Sequence, residues 1–244
     1  MRSYEQYCAV AKALDIVGDR WTLLIIRELL VRPCRYGDLL DGLPGVATNL
    51  LSDRLRLLEE NGVVTREDLG RYGLTAWGRQ LSGPIVELGR WAARLMGQKS
   101  EAESFRNQWM AVPVAMMFGG HDPDRAKLVV EIRSEGGAGI LESSRGEVHF
   151  RPGPATAPDV VVSGPPDVII GLLAGRLDKS TAAQHGVSVL GDFRRVARLR
   201  QRDWMSGPPG RSPLGTRRGH VPTSFMTRPV PPSGGRTQPG RLVD

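Results

Sequence analysis

One arc of a helix predicted at residues 47–61 carries short hydrogen-bonding side chains. At about 100° per residue, the leucines of this segment fall on one side, and the other side carries Thr48, Asn49, Ser52 and Arg56. Thin polar side chains let a helix enter the major groove of DNA, where their donors and acceptors match base edges. These four residues are therefore candidates for reading bases. Taken alone, the pattern also fits an ordinary solvated amphipathic helix.

The segments on either side of this helix are the parts of a helix-turn-helix. Apolar periodicity predicts helices at residues 8–17, 20–31 and 36–43, and a Pro-Gly pair then makes the turn into the polar-faced helix. Alternation at residues 63–74 predicts a β-hairpin directly afterwards. A hairpin in that position is a wing.

Some charged side chains around these elements are expected to contact DNA, and others are expected to stabilise the fold. The candidates for contacting phosphate are Arg20, Arg35, Arg66 and Arg71, of which the last two lie on the hairpin and could also reach the minor groove. Asp19 is expected to cap the second helix. Arg54 lies among the leucines of the fourth helix, so we expect it to pair with an acid such as Glu28 or Asp38.

A last helix of this half is predicted at residues 76–96, with a kink or break at Pro84. Its apolar stripe consists of Leu81, Ile85, Leu88, Trp91 and Leu95. The stripe indicates either a dimer seam or packing on the helix's own domain, and the sequence leaves both open.

Residues 7–96 resemble the HxlR family of bacterial winged helix-turn-helix regulators. The motifs that carry the resemblance are GDRWTLLI at 18–25, LPGV at 43–46, LSDRL at 51–55 and LEENGVV at 58–64. The resemblance implies a homodimer on a two-fold DNA operator, with half-sites about 34 Å apart. Two features depart from the family pattern: the hairpin is shorter than usual, and Ala47 stands where a serine cap is common.

Cys8 occupies the position where some members of this family carry a redox-sensing cysteine. A thiol switch is therefore one hypothesis, and a small buried apolar cysteine is the other. With Cys34 as the second of only two cysteines, there is no disulfide framework. The N-terminus lacks the residue order of a signal peptide, and the longest apolar run is too short to cross a bilayer, so we expect a cytoplasmic protein.

The second half of the chain predicts an α+β domain at residues 105–203, after a polar linker at 99–104. An apolar segment at 105–118 precedes four short strand-like runs, and mainly helical runs follow at 167–200. The fold class is therefore a mostly α-helical winged helix-turn-helix at residues 1–98, followed by an α+β domain.

This second half is similar to sterol carrier protein type two (SCP-2-like) domains. The matching motifs are VVSGPPD at 161–167, LLAGRLD at 172–178 and VSVLGD at 187–192. The resemblance implies an apolar tunnel and a sensing role for an apolar small molecule. The residues expected near such a ligand are Trp109, Met116, Phe118, Ile169, Leu172 and Leu173. The alternative is that these side chains form solid core with no cavity.

The sequence shows no catalytic constellation, metal spacing or phosphate-cradling loop, so we expect neither an enzyme nor a cofactor. Overall basicity carries little information, because residues 206–244 hold six arginines and one aspartate and so account for +5 of the net charge of +7. The Pro- and Gly-rich tail at 204–244 is predicted to be disordered, and either it adds non-specific attraction to DNA or it has no role.

Together these features predict a sequence-specific transcriptional regulator that binds DNA as a homodimer, with an apolar small molecule as a further partner. Two alternatives remain. One is a lipid or sterol-type carrier whose first domain serves as a dimer module. The other is a thiol redox regulator that acts through Cys8.

Overall fold

The first domain contains six helices and one hairpin. The computed structural model of this chain describes residues 3–201. The helices are α1 (Ala9–Val17), α2 (Thr22–Val31), α3 (Tyr36–Gly42), α4 (Thr48–Glu60), α5 (Ala76–Arg79) and α6 (Ser82–Ala92). The hairpin pairs β1 (Val64–Glu67) with β2 (Arg71–Leu74) in antiparallel register.

Leucines at helical spacing fix α4 against the rest of this domain. Leu51, Leu55 and Leu58 are buried against Ile25 and Ile26 of α2 in one hydrophobic cluster. The polar side of α4 is left exposed, as the apolar spacing predicts. Burial of this stripe, rather than a cap, defines the helix, because Ala47 at the N-cap supplies no side-chain acceptor.

The start of α2 corrects one prediction. The helix begins at Thr22 rather than Arg20, because Trp21 adopts a left-handed backbone with φ of 77°. Asp19 supplies no side-chain cap to this helix. Its carboxylate instead lies 2.6 Å from the guanidinium of Arg54 on α4, a charge pair that competes with capping.

The last helix of this half is broken, as predicted, but at Gln80 and Leu81 rather than at Pro84. Pro84 is the third residue of α6. At that position a backbone N–H has no partner within the helix, so the missing donor of proline costs nothing there. Thr75 caps α5, with its hydroxyl accepting from the N–H of Gly78 at 3.0 Å.

The apolar stripe on this last helix is buried at one end and exposed at the other, so it fits packing on its own domain in part and a dimer seam in part. Ile85 is buried in the core of the first domain. Leu88, Trp91 and Leu95 are 49%, 63% and 72% exposed.

The second domain is an α+β fold with one five-stranded sheet. Its strands are β3 (Leu128–Ser134), β4 (Gly137–Ser144), β5 (Glu147–Pro152), β6 (Val160–Ser163) and β7 (Ser188–Leu190). The sheet order is β5-β4-β3-β6-β7, and only the β3–β6 pair is parallel. The helices are α7 (Ala111–Phe118), α8 (Pro166–Ala174), α9 (Lys179–Gln184) and α10 (Phe193–Leu199). In the part of the chain described, no helix has the length and apolarity needed to cross a bilayer.

The two domains pack directly against each other. Gly89 of α6 faces α7 so closely that a Cβ added there would lie 3.0 Å from Val112 and 3.2 Å from Met116. Val112 is packed against both hydrophobic clusters. The glycine therefore lets α6 and α7 approach, and the two cores meet at Val112. The predicted tail at 204–244 lies outside the described residues.

Candidate nucleic-acid interface

The polar face of α4, which consists of Thr48, Asn49, Ser52 and Arg56, is exposed along its length. The hydroxyl of Tyr36 on α3 donates to the backbone oxygen of Thr48 at 2.7 Å and lies 3.2 Å from the hydroxyl oxygen of Ser52. This contact ties the first turn of α4 to α3. The helix can therefore be presented rigidly to a partner.

Arg56 is the cation at the centre of the polar face. Its side chain is 68% exposed, and its guanidinium lies 3.5 Å from Asp53 and 3.4 Å from Glu60. Exposed pairs of this kind contribute about 0–1 kcal/mol, so an incoming acceptor can displace them. The guanidinium is thus available for the bidentate contact that guanine offers.

Arg54 has a structural role, as predicted, but its predicted partners are wrong. It pairs with Asp19 rather than with Glu28 or Asp38. Both predicted acids are already engaged: Glu28 accepts hydrogen bonds from three other residues, and Asp38 accepts from the backbone N–H of Arg35 at 2.8 Å. That backbone hydrogen bond also lowers the pKa of Asp38.

The four candidate phosphate-contacting arginines are all exposed, and they lie on three separate segments. Arg20 lies over the ring of Trp21 before α2, and Arg35 occupies the N-cap of α3. Arg66 lies over the ring of Tyr72 and pairs with Glu59 of α4 at 3.2 Å. Arg71 begins the second strand of the wing. The wing thus carries two cations, of which Arg66 lies beside the end of α4.

Cys8 is exposed, so the expectation of a buried cysteine is wrong. It occupies the N-cap of α1, where hydrogen bonds from the backbone N–H groups of Ala11 and then Val10 lower the pKa of its thiol. Cys34 is the buried cysteine, and burial raises the pKa of its thiol to about 11. The two thiols therefore differ in both access and acidity.

The residues predicted near a ligand are not gathered around a shared space. Met116, Phe118, Ile169, Leu172 and Leu173 are all buried in the hydrophobic core of the second domain. Trp109 lies apart from them, against the first domain, where its indole N–H donates to Glu28 at 2.8 Å. Its position in the sequence, next to an apolar helix, gave no indication of this partner.

Sequence reasoning missed the contact centred on Glu28. This carboxylate is 4% exposed and accepts from Arg27 at 2.7 Å, Trp109 at 2.8 Å and Gln108 at 3.2 Å. The guanidinium of Arg27 also lies 4.5 Å from the ring centroid of Trp109. A charged pair inside the otherwise apolar run of α2 was the available signal, because buried charges need partners.

Comparison with known proteins identifies the first domain. Residues 16–100 match the HxlR-like helix-turn-helix family. An uncharacterized HTH-type transcriptional regulator of Synechocystis is 32% identical over 99 residues, which cover 38% of this chain and 73% of that protein. YvaP of Bacillus subtilis is 36% identical over 87 residues, covering 33% and 81%.

An HTH-type regulator of Mycobacterium bovis is 42% identical over 89 residues, which cover 34% of this chain and 56% of that relative. All of these matches are about as long as the first domain alone. The exposed polar face of α4 and the wing both lie within the residues that the family match covers. The chain belongs to the HxlR-like helix-turn-helix family.

Proposed function

We propose that this protein is a sequence-specific, DNA-binding transcriptional regulator and not an enzyme. The observation that carries the proposal is the exposed polar face of α4, backed by three buried leucines and followed by a basic wing. The relatives above are named as HTH-type transcriptional regulators, which supports the same function. A regulator of this kind acts in the cytoplasm, where the DNA is.

In this proposal α4 enters the major groove and the arginines around it hold the backbone. Thr48, Asn49, Ser52 and Arg56 read base edges, because they are the exposed donors and acceptors on the leading side of the helix. Arg20, Arg35, Arg66 and Arg71 contact phosphate and set the register without reading sequence.

The protein acts as a homodimer, in which two copies of α4 meet half-sites about 34 Å apart. Exposed apolar side chains on two helices support this part of the proposal. Val10 and Leu14 of α1 are 66% and 41% exposed, and Leu88 and Trp91 of α6 are 49% and 63% exposed. Pairing of two chains through these helices would remove that surface from water. Analytical ultracentrifugation of wild type and of Trp91→Glu tests it: the variant is expected to sediment as a monomer.

The second domain serves as an SCP-2-like sensor in this proposal. Its contact with α2 through Glu28 and Trp109 supports that role, because α2 forms the core behind α4. A ligand changes DNA affinity only by as much as it distinguishes two states of the protein, and typical couplings are about 1–3 kcal/mol.

Selection of genomic fragments by the purified full-length protein tests the function directly. One enriched sequence with two-fold symmetry is expected, and the enrichment should disappear with an Asn49→Ala/Arg56→Ala double variant. Recovery of fragments without a shared sequence, at equal yield for wild type and variant, would remove the regulator proposal. A Glu101→Ala variant in the linker is the matched control and should select the same sequence as wild type.

A thiol-sensing role for Cys8 is a second candidate, favoured by its exposure and its lowered pKa. Operator affinity of wild type and Cys8→Ser should then differ after peroxide treatment and agree before it. Equal affinities under both conditions would exclude the switch.

A further inference from the structure

A cleft of about 460 Å³ lies between the two domains. Its first wall comes from α2 and α6 of the first domain, with Leu30 and Val86 as representative residues. Its second wall comes from α7 and β5 of the second domain, with Val112, Ala115 and Phe150. The cleft is within the size range of small-molecule sites, about 300–1,000 Å³, and domain interfaces are a common location for such sites.

The lining of the cleft is apolar except at three positions, which are Arg27, Ser82 and His149. All three can donate a hydrogen bond, His149 through Nδ1 because its Nε2 already lies 3.2 Å from a carboxylate oxygen of Glu147, and among the described residues that line the cleft none is acidic. An apolar cavity with donors and a cation, but without a carboxylate, favours a ligand that has an apolar body and an accepting, anionic head.

Arg27 is held in place rather than mobile. Its Nε and Nη2 atoms donate to Glu28 at 3.1 and 2.7 Å, and its planar group lies over Trp109 of the second domain. Only 17% of the side chain is exposed. A guanidinium carries five N–H donors, so two hydrogen bonds to Glu28 leave donor capacity for a ligand head group.

The cleft is distinct from the interior of the second domain. Phe118, Ile169, Leu172 and Leu173 are at most 2% exposed and pack against one another within a single cluster. None of these four residues lines the cleft. The cleft therefore lies apart from these four side chains, which the sequence placed near a ligand.

We propose that this interdomain cleft binds a small apolar carboxylate. The apolar part of the ligand lies between α6 and α7, and its carboxylate accepts hydrogen bonds from Arg27 and from His149 or Ser82. A bound ligand contacts α2 and α6 on one side and α7 and β5 on the other. Its affinity therefore depends on the relative position of the two domains. The inference supplies the ligand site that the proposed sensing role needs, but binding itself does not require DNA.

The test uses dodecanoate as the probe and dodecyltrimethylammonium as the matched probe of opposite charge. Isothermal calorimetry on the full-length protein without DNA is expected to show saturable binding of dodecanoate, and at least about 10-fold weaker binding of the cation, which is about 1.4 kcal/mol. Absence of saturable dodecanoate binding, or equal affinity for both probes, overturns the proposal.

Two variants locate the bound probe. Ala115→Phe fills the cleft and is expected to weaken dodecanoate at least about 10-fold. Ala183→Phe makes the same change on the exposed side of α9, away from the cleft, and should leave the affinity unchanged. Equal affinity in wild type and Ala115→Phe would place the probe elsewhere.

A diazirine analogue of dodecanoate makes the test independent of whether Ala115→Phe folds. After irradiation of the wild-type protein, the labelled peptides should contain residues 82–86, 111–115 or 148–150. Labels confined to other peptides, such as 166–174, would overturn the proposed location. Operator binding, measured separately without the probe, reports on the regulator proposal alone, so the two proposals can fail independently.

Discussion

Two helices, α4 in the first domain and α8 in the second, show how differently the halves of this molecule use leucine. α4 has 13 residues and buries only Leu51, Leu55 and Leu58, so most of its surface is free to bind a partner. α8 has nine residues and buries six of them. α4 therefore keeps an exposed polar side, whereas α8 is mainly a core helix of the second domain.

The strongest change in the free energy of unfolding should come from truncating a buried leucine in either core, and it tests whether the two domains unfold as one unit. Leu55→Ala and Leu172→Ala each remove a nearly fully buried leucine from a different core, and each should lower the free energy of unfolding by about 2–5 kcal/mol. Because the cores meet at Val112, urea unfolding followed by circular dichroism should show one transition that moves in both variants. Two separate transitions, each moved by only one variant, would instead show that α4 and α8 belong to independent units.

The contact between the domains should be the next most sensitive feature. Glu28→Gln keeps the shape of the side chain but removes the charge that Arg27 and Trp109 satisfy, and it should cost about 1–3 kcal/mol in unfolding free energy. Glu60→Gln makes the same change on the exposed side of α4 and should stay within about 0.5 kcal/mol of wild type. Equal losses in both variants would mean that the buried contact contributes no more than a surface pair.

The exposed side of α4 can be tested against its buried side with two arginines of one helix. Arg56→Ala should weaken operator binding by about 1–3 kcal/mol and relax the preference at one base pair, because a bidentate base contact is lost. Arg54→Ala should instead lower stability, since its partner is Asp19, and should leave the sequence preference intact. Fluorescence anisotropy with single-base operator variants measures the affinity and the base preference, and urea unfolding measures the stability. Identical, sequence-independent losses of affinity in both variants would contradict the assignment.

A smaller effect is expected at the wing. Arg71→Ala removes an exposed cation and should weaken binding to every DNA sequence by a similar factor. The slope of log affinity against log salt should fall by about 1, because one fewer counterion is released. Arg145→Ala, an exposed arginine at a turn of the second domain, provides the control and should leave the slope unchanged.

The smallest effect concerns the two thiols, of which Cys8 is exposed and Cys34 is buried. Cys8 should react with iodoacetamide in the folded protein near pH 8, and Cys34 only after unfolding, as mass spectrometry of tryptic peptides can determine. The folded pKa of Cys34 is about 11 and its usual value is 9.0, so the unfolded chain ionises first. The stability that burial of the neutral thiol contributes is complete below about pH 9 and is lost as the pH rises towards 11. Equal labelling of both thiols in the folded state would contradict this difference.

Much of the first domain could be predicted because its signals are local. The bounds of α4, the wing and the cap at Thr75 follow from residue spacing and turn chemistry within short segments. The start of α2 could not be predicted, because it depends on the left-handed conformation of Trp21 and on the pull of Arg54 on Asp19. The partner of Arg54 could not be predicted either, because it depends on which acidic side chains are already bonded to other residues.

Which side of α4 is polar and which is apolar follows from residue spacing in the sequence alone, since helical periodicity converts spacing into direction without reference to the rest of the chain. The space of the interdomain cleft, in contrast, arises from tertiary packing and not from local spacing. That space is bounded by α2, α6, α7 and β5, which are brought together from distant parts of the chain. Apolar side chains look alike in a sequence whether they fill a core or line a cleft, and the difference is set by the packing of one domain against the other.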